Sequence, residues 1–224
     1  METKKVEWQL VILVCSIIII MIMGVRQSLG LFLEPITNFM NSGKEFFSFA
    51  IGVQAIIWGL VTFFLGILID KFGPQKVLAF GIISFASGIF LMSNPTSEFT
   101  LFSATTLMGF GLGGAGMATM VSIAGKVAPV NKRSLAMGLV AAAASFGQFA
   151  VVLPTMWMNK AFGWETSLIV LASVVIVLLI FLPLLNSTNN KNNSAQDIGN
   201  SLQKTIMFSL KEKNYILLIS GFFV

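Results

Sequence analysis

The chain has 224 residues, 56% of them hydrophobic and 10% charged, with a formal charge of +5 and a mean hydropathy of +0.89. Soluble domains carry about 25% charged residues, so a surface built to face water is excluded. With no histidine and a single cysteine, Cys15, the chain has no intramolecular disulfide and none of the histidine-based nucleophilic, metal or haem sites of intramembrane enzymes.

A spanning helix needs about 17 to 25 mainly apolar residues. Six segments meet or approach this: Leu10 to Leu33, Phe46 to Ile69, Val77 to Met92, Phe99 to Ala124, Ser134 to Met158 and Thr166 to Leu185. The first is too long, and too poor in a small-residue cleavage site, to be a signal peptide. The third is short and is expected to borrow a turn from each flank. The expected fold class is an all-α membrane protein of six transmembrane helices.

Basic residues set the expected orientation. Lys4 and Lys5, Lys71 and Lys76, Lys126, Lys132 and Arg133, and Lys191, Lys204, Lys211 and Lys213 all fall on one side. The alternate loops hold Lys44 and Lys160, and Arg26 lies inside helix 1. A bias this strong predicts a cytoplasmic N-terminus. The positive charge is thus a topology signal, and no nucleic-acid partner is expected.

Residues 1–185 read as the six-helix bundle. Asn186 to Asn200 is polar and Asn-rich, the composition of a linker. Leu202, Ile206, Met207 and Leu210 then fall on one face of a short amphipathic helix, completing a cytoplasmic segment over 186–213. Residues 214–224 turn apolar again and read as the start of a seventh helix, as if the chain were the front half of something longer.

Helices 1 to 3 and 4 to 6 echo one another. Lys71-Phe72-Gly73 closes the second helix of one triplet, and Lys160-Ala161-Phe162-Gly163 closes the second helix of the other. Three-helix units repeated in one chain must be inverted in the membrane, the arrangement of many secondary transporters.

Between helices 2 and 3 the chain reads Gly66-Ile67-Leu68-Ile69-Asp70-Lys71-Phe72-Gly73-Pro74-Gln75-Lys76. Gly66 lets helices approach, Asp70 offers a carboxylate to a helix N-terminus or a cation, Gly73 supplies a tight turn and Pro74 suits a first helical turn. The segment resembles the loop 2-3 signature of the major facilitator superfamily, G-x-L-x-D-[RK]-x-G-x-[RK]-[RK]. The resemblance implies an N-terminal six-helix bundle in the plasma (inner) membrane, in which Gly66, Asp70, Lys71, Gly73 and Lys76 form a conformational latch against a second six-helix half missing from this chain. Gln75 departs from the pattern, where a second basic residue is usual. Gly24-Val25-Arg26-Gln27-Ser28-Leu29-Gly30-Leu31-Phe32, Arg133 to Gly138, Ser145 to Gln148 and Phe162-Gly163-Trp164 resemble bacterial relatives of monocarboxylate transporters and oxalate/formate antiporters. Thr105, where many sugar and drug:proton porters carry Arg, and the lack of a Gly-Pro signature in helix 5 disfavour those branches.

Arg26 is the one full charge well inside a span, and burying it costs about 2.5 to 3.5 kcal/mol on insertion scales. It faces water, a carboxylate or a bound anion; equally, it snorkels to the headgroups or pairs with Glu34. Gln27, Gln54, Trp58 and Gln148 are the other candidates for lining a pathway, although an intramembrane amide also joins helices and Trp58 also suits a lipid-facing position. Glycines 109, 111, 113, 114 and 116 of helix 4, and Gly138, Ala141 to Ser145 and Gly147 of helix 5, permit close packing and sliding. No Asp or Glu lies deep in a span, so a proton-coupling group would be Glu34 or outside this half.

The expected function is half of a secondary transporter that moves a small organic anion, such as a monocarboxylate, across the lipid bilayer by alternating access, with no cofactor, no metal and no covalent chemistry. The alternative is a self-contained six-helix channel or scaffold that acts as an oligomer.

Overall fold

The structure, a computed structural model, describes residues 8–188, with side chains left out at 66, 67, 70, 71 and 186–188. Among the described residues six stretches are long and apolar enough to cross a membrane. The first, Trp8–Met40, comprises α1 (Trp8–Ser28), a 3-10 stretch (Leu29–Phe32) and α2 (Leu33–Met40). The second is carried by α3 (Lys44–Phe72) and the third by α4 (Pro74–Met92). The fourth joins α5 (Glu98–Ala115) to α6 (Met117–Val127), and the fifth joins α7 (Arg133–Ala150) to α8 (Val152–Phe162). The sixth runs through α9 (Trp164–Val177) into a 3-10 stretch (Leu178–Thr188).

Four of the six expected helices are therefore not continuous, and proline accounts for two of the breaks. A proline removes one N–H and its ring presses on the carbonyl four residues earlier. Pro154 stands four residues after Ala150, where α7 ends. Pro35 stands four residues after Leu31, inside the 3-10 stretch, and the Leu31 carbonyl instead accepts from Asn159 Nδ2 at 3.4 Å. The third span gains a turn only at its N-terminal side, where Pro74 takes the first helical position. The amphipathic helix and the start of a seventh helix expected beyond residue 200 lie outside the described residues.

Within lipid, helices gain little from hydrophobic burial against each other, so close van der Waals contact must hold them together. Glycine makes this contact possible between α4 and α5. A Cβ on Gly114 would stand 2.8 Å from Gly81 Cα, and one on Gly81 would stand 2.6 Å from the Ala115 nitrogen. The glycines of helix 4 divide by face: Gly111 and Gly114 meet α4, whereas Gly109 and Gly113 meet Gln54, Ile57 and Val61 of α3. Gly24 and Gly147 likewise bring α1 against α7, the Gly24 position facing the Gly147 carbonyl at 2.5 Å. Helix 5 uses only one side of its small-residue run, since Ala136, Val140, Ala144 and Gly147 are buried while Gly138, Ala142 and Ser145 are exposed. Several hydroxyls in the bundle bond the carbonyl four residues back: Ser28 donates to the Gly24 carbonyl at 2.9 Å and Thr155 to that of Val151 at 2.8 Å.

The sequence echo has a backbone counterpart. Gly73 (φ 85°, ψ 155°) and Gly163 (φ 83°, ψ 164°) share a conformation open essentially to glycine alone. Each donates its N–H to the carbonyl four residues back, Ile69 at 3.0 Å and Asn159 at 3.2 Å, and each is followed directly by the next helix. Counted from these glycines, Val61 and Val151 occupy the same register position, as do Trp58 and Gln148. Gly113 of the fourth span packs on Val61, and Gly24 of the first span packs on Val151. A few residues beyond those two glycines both spans leave α-helical geometry, at Leu29 and at Gly116. Interruptions at corresponding places of two repeats are where transporter folds put their binding sites.

Candidate functional site

Arg26 sits near the end of α1, three residues before the helix tightens into its 3-10 stretch at Leu29. Its guanidinium carbon lies 4.8 Å from the centroid of the Trp58 ring on α3. A cation at this distance over an indole is attracted by the ring quadrupole. The Nε of Arg26 is buried with no hydrogen-bond partner. Glu34 bonds Lys44 at 2.9 Å on the surface, so the alternative pairing of Arg26 with Glu34 is not the one formed.

Gln54 precedes Trp58 by one helical turn, which puts both on one face of α3. Its side chain is buried at 1% exposure and its Nε2 has no partner. The same face packs on the fourth span, the Gln54 carbonyl standing 2.9 Å from where a Cβ on Gly109 would be. Trp58 in turn reaches the break in that span: its Nε1 stands 3.3 Å from the Cβ position of Gly116. At the break Thr119 Oγ1 donates to the Gly113 carbonyl at 3.3 Å, covering an acceptor that the interrupted helix leaves over. Arg26, Gln54 and Trp58 thus bring the first, second and fourth spans together through a cation–π contact and close packing.

Of the remaining pathway candidates, Gln27 follows Arg26 in sequence and is exposed, and Gln148 is exposed on α7. The structure does not bring them into a contact with Arg26 or Trp58 that fixes their role. In the expected latch, α3 extends to Phe72, so Asp70 and Lys71 belong to the last helical turn rather than to a loop, and Gly66 lies within the same helix. Gly73 alone separates α3 from α4, and Lys76 is exposed in the first turn of α4.

Two residues carry more than the sequence suggested. Gly116, grouped with the packing glycines, is the helix break beside the Trp58 indole; five glycines within 109–116 were its one signal. Gln75 Nε2 donates to the Leu182 carbonyl at 2.8 Å, tying the start of α4 to the end of the sixth span across 107 residues. That role explains an amide where a basic residue is usual.

The family model of the Major Facilitator Superfamily matches residues 13–224. Among curated proteins, an uncharacterised MFS-type transporter, YcxA, of Bacillus subtilis (strain 168) is 26% identical over 189 residues, covering 80% of this chain and 45% of that protein. The agnestins efflux protein AgnL12 of Paecilomyces divaricatus is 29% identical over 127 residues, 55% of this chain and 27% of its own. An uncharacterised transporter of Buchnera aphidicola subsp. Schizaphis graminum (strain Sg) is 24% identical over 180 residues, 78% of this chain and 45% of its own. The chain spans about half the length, or less, of these relatives. With six apolar spans and a family match over nearly its whole length, this multi-pass membrane protein belongs to the Major Facilitator Superfamily.

Proposed function

We propose that the chain is the N-terminal bundle of a secondary transporter that binds a small organic anion at Arg26 and carries it by alternating access against a second six-helix half. The observation that carries this reading is a cation held inside a span by an aromatic ring instead of a carboxylate. Burying Arg costs about 2.5 to 3.5 kcal/mol on insertion scales, and a cation–π contact returns about 0.5 to 2 kcal/mol. Two further buried donors, Arg26 Nε and Gln54 Nε2, lack partners, and each such group costs about 1 to 3 kcal/mol. A carboxylate supplies the charge and the acceptors together, because its two oxygens match the guanidinium fork. Monocarboxylates are the first class to test.

Gln27 and Gln148 are proposed as further pathway-lining residues, Gln148 because it holds in the second repeat the position that Trp58 holds in the first. Gly66, Asp70, Lys71, Gly73 and Lys76 are proposed as the latch between the two halves, on the inner face of the plasma membrane with the N-terminus cytoplasmic.

The test is counterflow into proteoliposomes bearing the full-length protein. Labelled lactate and acetate serve as monocarboxylate probes, oxalate as a dicarboxylate, and glucose and methylammonium as neutral and cationic controls. Exchange of one or more carboxylates and of neither control is expected. Exchange of the cation or of glucose, with none of the carboxylates, would overturn the reading.

A further inference from the structure

The turn between the fourth and fifth spans carries an exposed basic surface apart from the Arg26 site. Lys132 and Arg133 are exposed, and the Lys132 Nζ lies 5.4 Å from the centroid of the Trp8 ring at the start of α1. Val130 beside them is 81% exposed and Leu135, half a turn into α7, is 58% exposed. No acidic residue occurs in the sequence between Glu98 and Glu165, so this stretch supplies no internal counter-charge. The two cations also stand where a helix disfavours them. Arg133 is the first residue of α7 and Lys132 immediately precedes it, no acid lies in that first turn and no side chain caps it, although the positive end of a helix dipole favours anions. Tryptophan at the end of a span marks the level of the headgroups, and the Trp8 contact holds Lys132 at that level.

We infer that Trp8, Lys132 and Arg133 form a docking surface for the phosphate of an anionic phospholipid, with Val130 and Leu135 meeting its acyl chains. Charge complementarity and the adjoining exposed apolar side chains select a lipid over a free anion, because a soluble phosphate gains nothing from Val130 or Leu135. The surface serves whichever leaflet the turn faces, so it does not depend on the orientation of the bundle or on its substrate.

Native mass spectrometry of the full-length protein in detergent tests this, with equal amounts of phosphatidylglycerol and phosphatidylethanolamine added. Preferential retention of phosphatidylglycerol is expected, falling roughly 30-fold in Lys132→Gln/Arg133→Gln, since each basic residue at a membrane surface contributes an attraction of about fivefold. Lys160→Gln, an exposed cation at the end of α8, is expected to retain as much lipid as the unmodified protein. Equal retention by the double variant, or an equal loss in Lys160→Gln, would overturn the inference. A second measurement needs no variant: excess inorganic phosphate is expected to leave bound phosphatidylglycerol in place, and its complete displacement would show a simple anion site instead of a lipid surface.

Discussion

Arg26 and Trp58 stand 32 residues apart in sequence and meet as a cation over a ring, with the guanidinium carbon 4.8 Å from the ring centroid. The contact joins the first span to the second just before the first tightens into a 3-10 stretch, and Nε1 of the same indole lies beside the break in the fourth span. A charge that lipid rejects is thereby held on an aromatic surface while its buried Nε has no hydrogen-bond partner.

Removing the ring should free the cation. Trp58→Ala forfeits a contact of about 0.5 to 2 kcal/mol, so the affinity for the proposed anion is expected to fall by a factor of about 2 to 30. Trp58→Phe keeps an aromatic face and should lose less than Trp58→Ala. Binding isotherms on the purified full-length protein check the order; equal effects of the two variants would show that the ring's face is not what matters.

Glycines that look alike in sequence should differ in consequence. Gly114→Val drives a side chain into Gly81, whose Cα already stands 2.8 Å from the Cβ position. Overpacking of that kind costs about 1 to 3 kcal/mol. Gly138 has open space around the same position, so Gly138→Ala should leave the melting temperature in detergent unchanged or raised. A drop with Gly138→Ala equal to that with Gly114→Val would remove the basis for dividing these glycines by face.

The repeat predicts paired penalties. Gly73 and Gly163 share φ near +84°, with ψ of 155° and 164°, and a side chain in that region costs about 1 to 3 kcal/mol. Gly73→Ala and Gly163→Ala should therefore lower thermal stability to a similar extent. A large loss at one and none at the other would mean that the two turns are not equivalent.

Much of this was legible in the sequence, and the rest was hidden for identifiable reasons. Apolar length located the six spans, and Phe-Gly ahead of the third and sixth announced the two turns, because only glycine fits their backbone. Hydropathy is blind to interruptions inside an apolar run, so the breaks at Gly116 and between Ala150 and Val152 passed unseen. Pro154 and Pro35 are visible in the sequence, but their effect falls four residues upstream, at Ala150 and Leu31, within apolar runs. Partners far apart in the chain were the least accessible. Arg26 showed that it needed a partner without showing that it was Trp58, and Gln75 read as a departure from a motif until Leu182 came beside it. Gln27 and Gln148 looked like Gln54 in sequence, yet only Gln54 is buried, a difference set by helix rotation against neighbouring spans.

The latch proposal separates rate from affinity. Asp70→Asn in the full-length transporter is expected to slow exchange between inward- and outward-facing states while changing substrate affinity by less than about twofold, since the residue lies in the last turn of α3 and its effect is on a state equilibrium. Transport rates set beside equilibrium binding decide it, and an effect confined to affinity would count against the latch.

The most direct measurement is anion uptake by Arg26→Ala beside the unmodified transporter, in proteoliposomes of matched protein content, using whichever carboxylate the unmodified protein exchanges. A hydrogen bond to a charged group contributes about 1.5 to 3 kcal/mol, so affinity should fall by about 10- to 100-fold or uptake should vanish, with membrane insertion and melting temperature preserved. Uptake by Arg26→Ala equal to that of the unmodified protein would contradict the assignment of Arg26 as the anion's partner.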